Sequence, residues 1–301
     1  MQFTFTLPES LPQMTVKQFL EEQLLIPRKI RHFLRIKKNI LINHKEVHWN
    51  EMVKPGDICQ LTFDEEDYPP KEILWGNSDL VQEVYQDQHL IIVNKPEGMK
   101  THGNQPGEIA LLNHVSAYVG QTCYVVHRLD METSGLILFA KNPFILPILN
   151  RLLGKKEISR EYWAQVDGHI NSKELVFKDK IGRDRHDRRK RIVDTKNGQY
   201  AETHVSRLKQ FPDKTSLIRC KLKTGRTHQI RVHLEFIGHP IVGDPVYRKG
   251  LDHIKGSLVH DMSGQLLHAY ALKLQHPRSG EWLEFKAPLP RRFVEALDQL
   301  R

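Results

Sequence analysis

Cysteine is scarce in this chain of 301 residues. Cys59, Cys123 and Cys220 are odd in number and far apart, which excludes a disulfide framework and any CxxC metal knuckle. A reducing cytoplasm is the expected setting. No run approaches the roughly 18 apolar residues of a membrane span. The opening Met1-Gln2-Phe3-Thr4-Phe5-Thr6-Leu7-Pro8 has no positive n-region and no continuous apolar stretch, so neither export nor a membrane is expected. Internal repeats and low-complexity tracts are also missing.

What is present is material for a core. Hydrophobic residues make up 39% and charged residues 27%, a globular composition, and at about 150 residues per domain the length predicts two domains. Lys and Arg outnumber Asp and Glu by 45 to 36, a formal charge of +9. Charge alone identifies no partner, but it is clustered. Arg28, Lys29, Arg31, Arg35, Lys37, Lys38 and Lys45 form one group, and Arg183, Arg185, Arg188, Arg189, Lys190 and Arg191 another. Two basic surfaces suit a polyanion such as RNA.

Thr15 with Gln18 is a capping-box pattern, and Val16, Phe19, Leu20 and Leu24 follow at helical spacing. Pro27 opens a second, basic helix. Ile40-Leu41-Ile42 and Ile58 to Phe63 read as short strands. These elements define a small module over 13–64, near the lower size limit for independent folding. Acidic residues, Pro69-Pro70 and Gly76 mark a linker over 65–80, which predicts that the remaining body, 81–301, folds without the module. Strands dominate that body: 90–93, 124–126, 136–140, 161–166, 201–208, 216–222, 266–274 and 282–285. Helices are expected near 110–119, 144–153, 227–237 and 291–300. The lack of βα alternation predicts an α+β fold, with a mixed, mostly antiparallel central sheet and flanking helices.

The segment richest in chemistry is Val126-His127-Arg128-Leu129-Asp130-Met131-Glu132-Thr133-Ser134-Gly135, a polar loop held between apolar strands. Two readings stand open on the residues alone: a catalytic loop, or a turn in which Asp130 and Ser134 cap their own backbone. Ser134 lacks a GxSxG elbow, and no second such loop supplies the paired carboxylates of an aspartic protease. His228 and His233 are about 140° apart around a helix, so they share no face for a metal. They read as structural or RNA-facing groups.

His127-Arg128-Leu129-Asp130 followed by Thr133-Ser134-Gly135-Leu136 resembles the signature loop of the RluA family of pseudouridine synthases. Further matches occur in family order: Asn94-Lys95-Pro96 with Gly98, Arg160-Glu161-Tyr162-Trp163-Ala164 with Gly168, Thr224 through His233, Gly238-His239-Pro240-Ile241 with Gly243-Asp244, and Leu267-His268-Ala269. They lie between positions 84 and 290 and are most similar to the RluD-like branch. The module over 13–64 resembles the small αL RNA-binding domain that many members carry. Arg160 stands where the family often has Lys, and Met99-Lys100 follows Gly98 where shorter or more apolar residues are common. Neither departure is expected to touch the active centre.

The resemblance implies isomerisation of uridine within structured RNA, rRNA first and tRNA as the alternative, by a monomer with no cofactor, no metal and no protein partner. It gives Asp130 as the essential carboxylate. An ionised carboxylate in a water-poor pocket needs a cation beside it, and the resemblance makes Arg231 that partner. Tyr162 becomes the ring that stacks on an extruded uracil. Leu267 would close the opposite face, and Arg128 would fill the hole left by the flipped base or pair with a phosphate. His127, the Arg183, Arg185, Arg188 and Arg189 loop, and Arg28, Lys29, Arg31, Lys37 and Lys38 complete the expected RNA surface. Which of C1′, C2′ or C6 Asp130 first engages stays open. Two rival readings use the same residues: a non-catalytic ribosome-assembly factor on this fold, and a glycosylase that cleaves the N-glycosidic bond outright.

Overall fold

A computed structural model describes residues 1–69, 71–248 and 264–298. Pro70 of the expected linker and the expected helix end at Leu300 lie outside them. Near the N-terminus, Thr15 Oγ1 accepts the Gln18 amide at 3.2 Å while Gln18 Oε1 accepts the Thr15 amide at 2.9 Å, closing the capping box. The helix it starts covers Val16–Gln18 and widens into a π turn over Phe19–Gln23. Pro27 precedes the second helix, Arg28–Ile36. The small sheet has four strands and not the two expected. Gln2–Thr6 pairs antiparallel with Ile58–Thr62, which pairs with Ile40–Ile42, which pairs with Lys45–Glu46. In the first strand Phe3 is buried between exposed Gln2 and Thr4, the period of a half-buried strand.

The larger body is built on a ten-stranded sheet. From one edge its main path runs Glu174–Phe177, Thr203–Gln210, Thr215–Leu222, Ser159–Asp167, Leu267–Gln275, Ser134–Ala140, Leu90–Lys95 and Glu83–Gln86; Trp282–Lys286 pairs with the Leu267–Gln275 strand and Tyr124–Val125 with the Ser134–Ala140 strand. Among these pairings only Ser134–Ala140 against Leu267–Gln275 is parallel. The α+β class is therefore as expected, and the expected elements have ends shifted by about two residues at most. The strands Glu83–Gln86 and Glu174–Phe177 and the hairpin of Ile181–Arg183 with Arg191–Val193 are additions.

Ser134–Ala140 is buried along its whole length and divides the core by side-chain alternation. Leu136, Leu138 and Ala140 face one apolar cluster; Ile137 and Phe139 face the other, which also holds Tyr162, Ile230 and Leu267. The first cluster is shared with the N-terminal module. Phe3 and Phe63 stack near Phe144, with ring centroids 5.1 and 5.2 Å away. The Arg278 guanidinium lies 3.2 Å from the centre of the Phe5 ring, and Arg151 donates to the carbonyls of Glu22 and Gln23. The expected linker is laid down as well: Asn113 Nδ2 donates to the Leu74 carbonyl, and the Gly76 amide to that of Asn113. A common apolar core thus joins module and body where a simple tether was expected.

Candidate active site

The loop 126–133 is gripped from several sides. Thr101 Oγ1 donates to the Leu129 carbonyl and accepts the Leu129 amide, at 2.9 and 3.1 Å. Lys95 is fully buried, and its ammonium donates to the carbonyls of Pro96, Met99 and Met131 at 2.7, 2.7 and 2.9 Å. Gln265 Nε2 donates to Thr133 Oγ1 at 2.8 Å. Ser134 Oγ hydrogen-bonds His268 Nδ1 at 2.9 Å. The reading in which Asp130 and Ser134 cap their own loop is thereby set aside. Both side chains reach other elements, so the loop is held from outside with its carboxylate turned away.

That carboxylate meets Arg231. Arg231 Nη1 donates to Asp130 Oδ2 at 2.8 Å, while Nε and Nη2 donate to the two Asp244 oxygens at 2.7 and 2.9 Å. Asp244 is wholly buried and also accepts the amides of Val246 and Tyr247. Its fork-to-fork contact fixes the guanidinium plane and leaves one edge for Asp130. Burial opposes the charge on Arg231, but its bonds to Asp244 and then Asp130 outweigh this and hold its pKa above the ordinary value. The Tyr247 ring lies 4.9 Å from the guanidinium, and its hydroxyl hydrogen-bonds His228 Nδ1 at 2.9 Å. His228 Nε2 in turn stands 3.9 Å from Asp130. Burial lowers the His228 pKa. Sequence reasoning missed Asp244, Tyr247 and His228 as site residues. Asp244 and His228 had a signal, in the Gly243-Asp244 and Thr224 through His233 matches, and Tyr247 had none.

Tyr162 is on the Ser159–Asp167 strand, in unbroken register with Thr215–Leu222, while the register against Leu267–Gln275 shifts between Glu161 and Trp163 with the extra residue on the Leu267–Gln275 strand. Its ring is buried, and burial raises its phenol pKa, keeping it neutral. Asp130, Tyr162, Arg231 and Leu267 together line a cavity of about 60 Å³. Two larger clefts, of about 570 and 300 Å³, share Arg128, Asp130 and His228 with it. Arg128 is exposed at this junction.

The other expected contacts divide. His127 is 6% exposed, its Nε2 accepts the Leu138 amide at 3.3 Å, and burial drives its pKa down to about 3, while it lines the largest of these clefts with Arg128 and Asp130. Arg31 is buried and paired with Glu21. Arg28, Lys29, Lys37 and Lys38 are exposed on that helix and the turn after it, the last two in surface pairs with Asp64 and Glu46, which are worth little. Arg183, Arg185, Arg188 and Arg189 are exposed around the Ile181–Arg183 and Arg191–Val193 hairpin. Arg189 lines the smaller cleft beside Asp130. Arg160 and Lys100 are not remote from the centre as expected, since each lines a cleft that contains Asp130. Among the described residues no group of His, Cys, Asp and Glu could hold a metal, and no helix is long and apolar enough to cross a membrane.

The fold is a mixed sheet that brings one partly exposed carboxylate, Asp130, to the junction of three clefts. The family described as RNA pseudouridylate synthase matches residues 89–236, and the RluD ribosomal pseudouridine synthase N-terminal domain matches 3–59. An RNA pseudouridine synthase of Bacillus subtilis named YlyB, described as uncharacterized, is 38% identical over 274 residues, covering 87% of this chain and 86% of its own length. Ribosomal large subunit pseudouridine synthase D of Vibrio cholerae is 34% identical over 287 residues, covering 89% and 86%. The solved structure of Human RNA Pseudouridylate Synthase Domain Containing 4 superposes with a TM-score of 0.58 at 25% identity, over 73% of this chain and 92% of that one. The chain belongs to the RNA pseudouridine synthase family, whose members are isomerases acting on RNA.

Proposed function

We propose that this enzyme converts uridine to pseudouridine in large-subunit ribosomal RNA, with Asp130 as the catalytic carboxylate and the target uridine extruded into the slot between Tyr162 and Leu267. The observation that carries this reading is the single carboxylate held by a clamped arginine beside a buried aromatic ring in one cavity. The relatives named for the large subunit support the choice of RNA. The reaction is internally balanced. The N1–C1′ bond breaks, the uracil turns, C5 joins C1′, C5 loses its hydrogen and N1 ends protonated. It needs no external oxidant or reductant. In the slot Tyr162 takes one face of the base, a contact worth about 1–3 kcal/mol. Arg231 keeps Asp130 aimed at the nucleotide, and Asp244 keeps Arg231 aimed at Asp130. Arg128, exposed at the mouth, occupies the gap that the base leaves.

Because C5 must shed its hydrogen, tritium release from RNA with 5-tritiated uridine measures turnover directly. Asp130→Asn is expected to release less than about 1% of the parent's tritium while still binding RNA, since the basic surfaces supply the affinity. Retained turnover would remove Asp130 from its role. Carbodiimide-blocked primer extension on RNA from a deletion strain is expected to lose stops in large-subunit rRNA. Stops lost from tRNA instead would move the substrate there, and free uracil among the products would indicate a glycosylase.

A further inference from the structure

Four arginines are buried among the described residues: Arg31, Arg160, Arg231 and Arg278. Arg31 has Glu21, Arg231 has Asp130 and Asp244, and Arg278 lies on the Phe5 ring. Arg160 is 7% exposed, and no carboxylate, carbonyl or hydroxyl of the described residues accepts from it. Its Nε is buried without a partner. A guanidinium cannot lose its proton at any working pH, so an unpaired buried one is held at a cost in stability. Such a cost is tolerable where a ligand supplies the missing anion.

We infer that Arg160 is a binding site for a backbone phosphate of the target nucleotide, the phosphate whose own base stacks on Tyr162. This rests on the proposed insertion of uridine beside Asp130. Arg160 and Tyr162 are two apart on the Ser159–Asp167 strand, so their side chains leave the same face about 7 Å apart. That separation matches the reach from a nucleobase to its own phosphodiester. Arg160 lines the same cleft as Asp130 and Tyr162, together with Lys156, Lys223 and Arg226, which draw the strand in. The loop Thr224-Gly225-Arg226 closes over the guanidinium so tightly that a Cβ on Gly225 would stand 2.9 Å from Arg160 Nη1. Glycine there lets the backbone pass beside a guanidinium that lines the cleft. The planar fork can hold two phosphate oxygens at once, which an ammonium cannot.

The test uses a synthetic hairpin around a uridine that the enzyme modifies, made with ordinary linkages or with an uncharged methylphosphonate on the 5′ or the 3′ side of that uridine. Binding is read with Asp130→Asn in every protein, so that nothing turns over. In the Arg160 protein one of the two neutral linkages is expected to weaken binding about tenfold, the worth of one charged hydrogen-bonded contact. Adding Arg160→Met should weaken the ordinary hairpin by a similar factor and abolish the sensitivity to that linkage. Arg160→Lys should fall between. Arg160→Met alone should melt no lower than the parent, because it removes an unpaired buried charge. A Met protein as sensitive to that linkage as the Arg160 protein, no sensitivity in the Arg160 protein, or a clear drop in melting temperature would each overturn the proposal. Tritium release surviving in Asp130→Asn would sink the carboxylate assignment and leave this one standing.

Discussion

Asp130 and Asp244 hold the same arginine, yet removing them has opposite weight. Asp130 is 28% exposed at its side chain and Asp244 is fully covered. Asp130→Asn leaves Arg231 with its two bonds to Asp244, so the loss of stability is expected to stay within about 1 kcal/mol although turnover vanishes. Arg231→Met leaves a buried carboxylate unpaired and is expected to cost about 3–5 kcal/mol. Arg231→Lys keeps the charge without the fork and should recover part of the stability and less of the rate. Urea titrations beside tritium release separate the two quantities; equal destabilisation by Asp130→Asn and Arg231→Met would show that Asp244 does not carry the guanidinium. At this scale the sequence was informative where a residue projects as its element dictates. Arg231, beside the apolar stripe of its helix, turned inward as the pattern allowed. His228 did not follow the helical wheel because it is not on the helix. It caps the helix at a φ of +57°, and that left-handed turn swings its ring toward Asp130. Tyr247 comes from a loop with no pattern to read, and His127 turned into the core because Arg128, its neighbour, faces out.

Elements place these residues through one tight parallel contact. Ser134 and Gly135 pair with His268 and Ala269, which brings the end of the Asp130 loop against Leu267. Gly135 has φ +107°, and a Cβ there would lie 2.3 Å from the Ala269 carbonyl oxygen. Gly135→Ala should therefore force the strands apart and either prevent folding or cost several kcal/mol, with activity lost in proportion to the folded fraction; a melt near that of the parent would show that the strand can shift at little cost. Thr101→Val tests the loop more gently. It leaves the Leu129 amide and carbonyl buried without partners, about 1–3 kcal/mol, and tritium release should fall more than stability does. The sheet was legible because apolar alternation marks strands whose two faces meet different surroundings. The Gln2–Thr6 strand escaped because five residues alternating Phe with Thr or Gln resemble neither a signal peptide nor a long strand, and only pairing to Ile58–Thr62 defines it. The parallel step between Ser134–Ala140 and Leu267–Gln275 is invisible to local pattern, since it joins segments far apart in the chain.

Over the whole molecule, buried histidines set the response to acid. Burial holds His127 at about 3 and His89 and His268 at about 4. Unfolded histidine titrates near 6.5. Between those values the unfolded chain binds more protons than the folded one, so this part of the stability is complete above pH 6.5 and drains away toward pH 4. Urea midpoints should fall across that window, and His268→Gln should flatten the slope by about one proton. An unchanged midpoint from pH 7 to 5 would contradict neutral burial. The division into module and body could be read from composition, but their union could not, because Phe3, Phe5, Phe63 and Phe144 look like ordinary core residues of separate units. Removal of residues 1–75 is expected to lower the melting temperature by many degrees, not merely to weaken RNA binding, by uncovering Phe144, His89 and Arg278. The shared core has a geometric consequence. A head on a flexible tether would gain avidity from any RNA within reach, whatever its shape. On the proposed function, a shared core would fix the spacing between the Arg28–Ile36 helix and the Asp130 carboxylate like the two jaws of a caliper. An RNA would then be expected to fill both only where its backbone and target uridine stand at the matching gauge, which binding of hairpins of stepped stem length would measure.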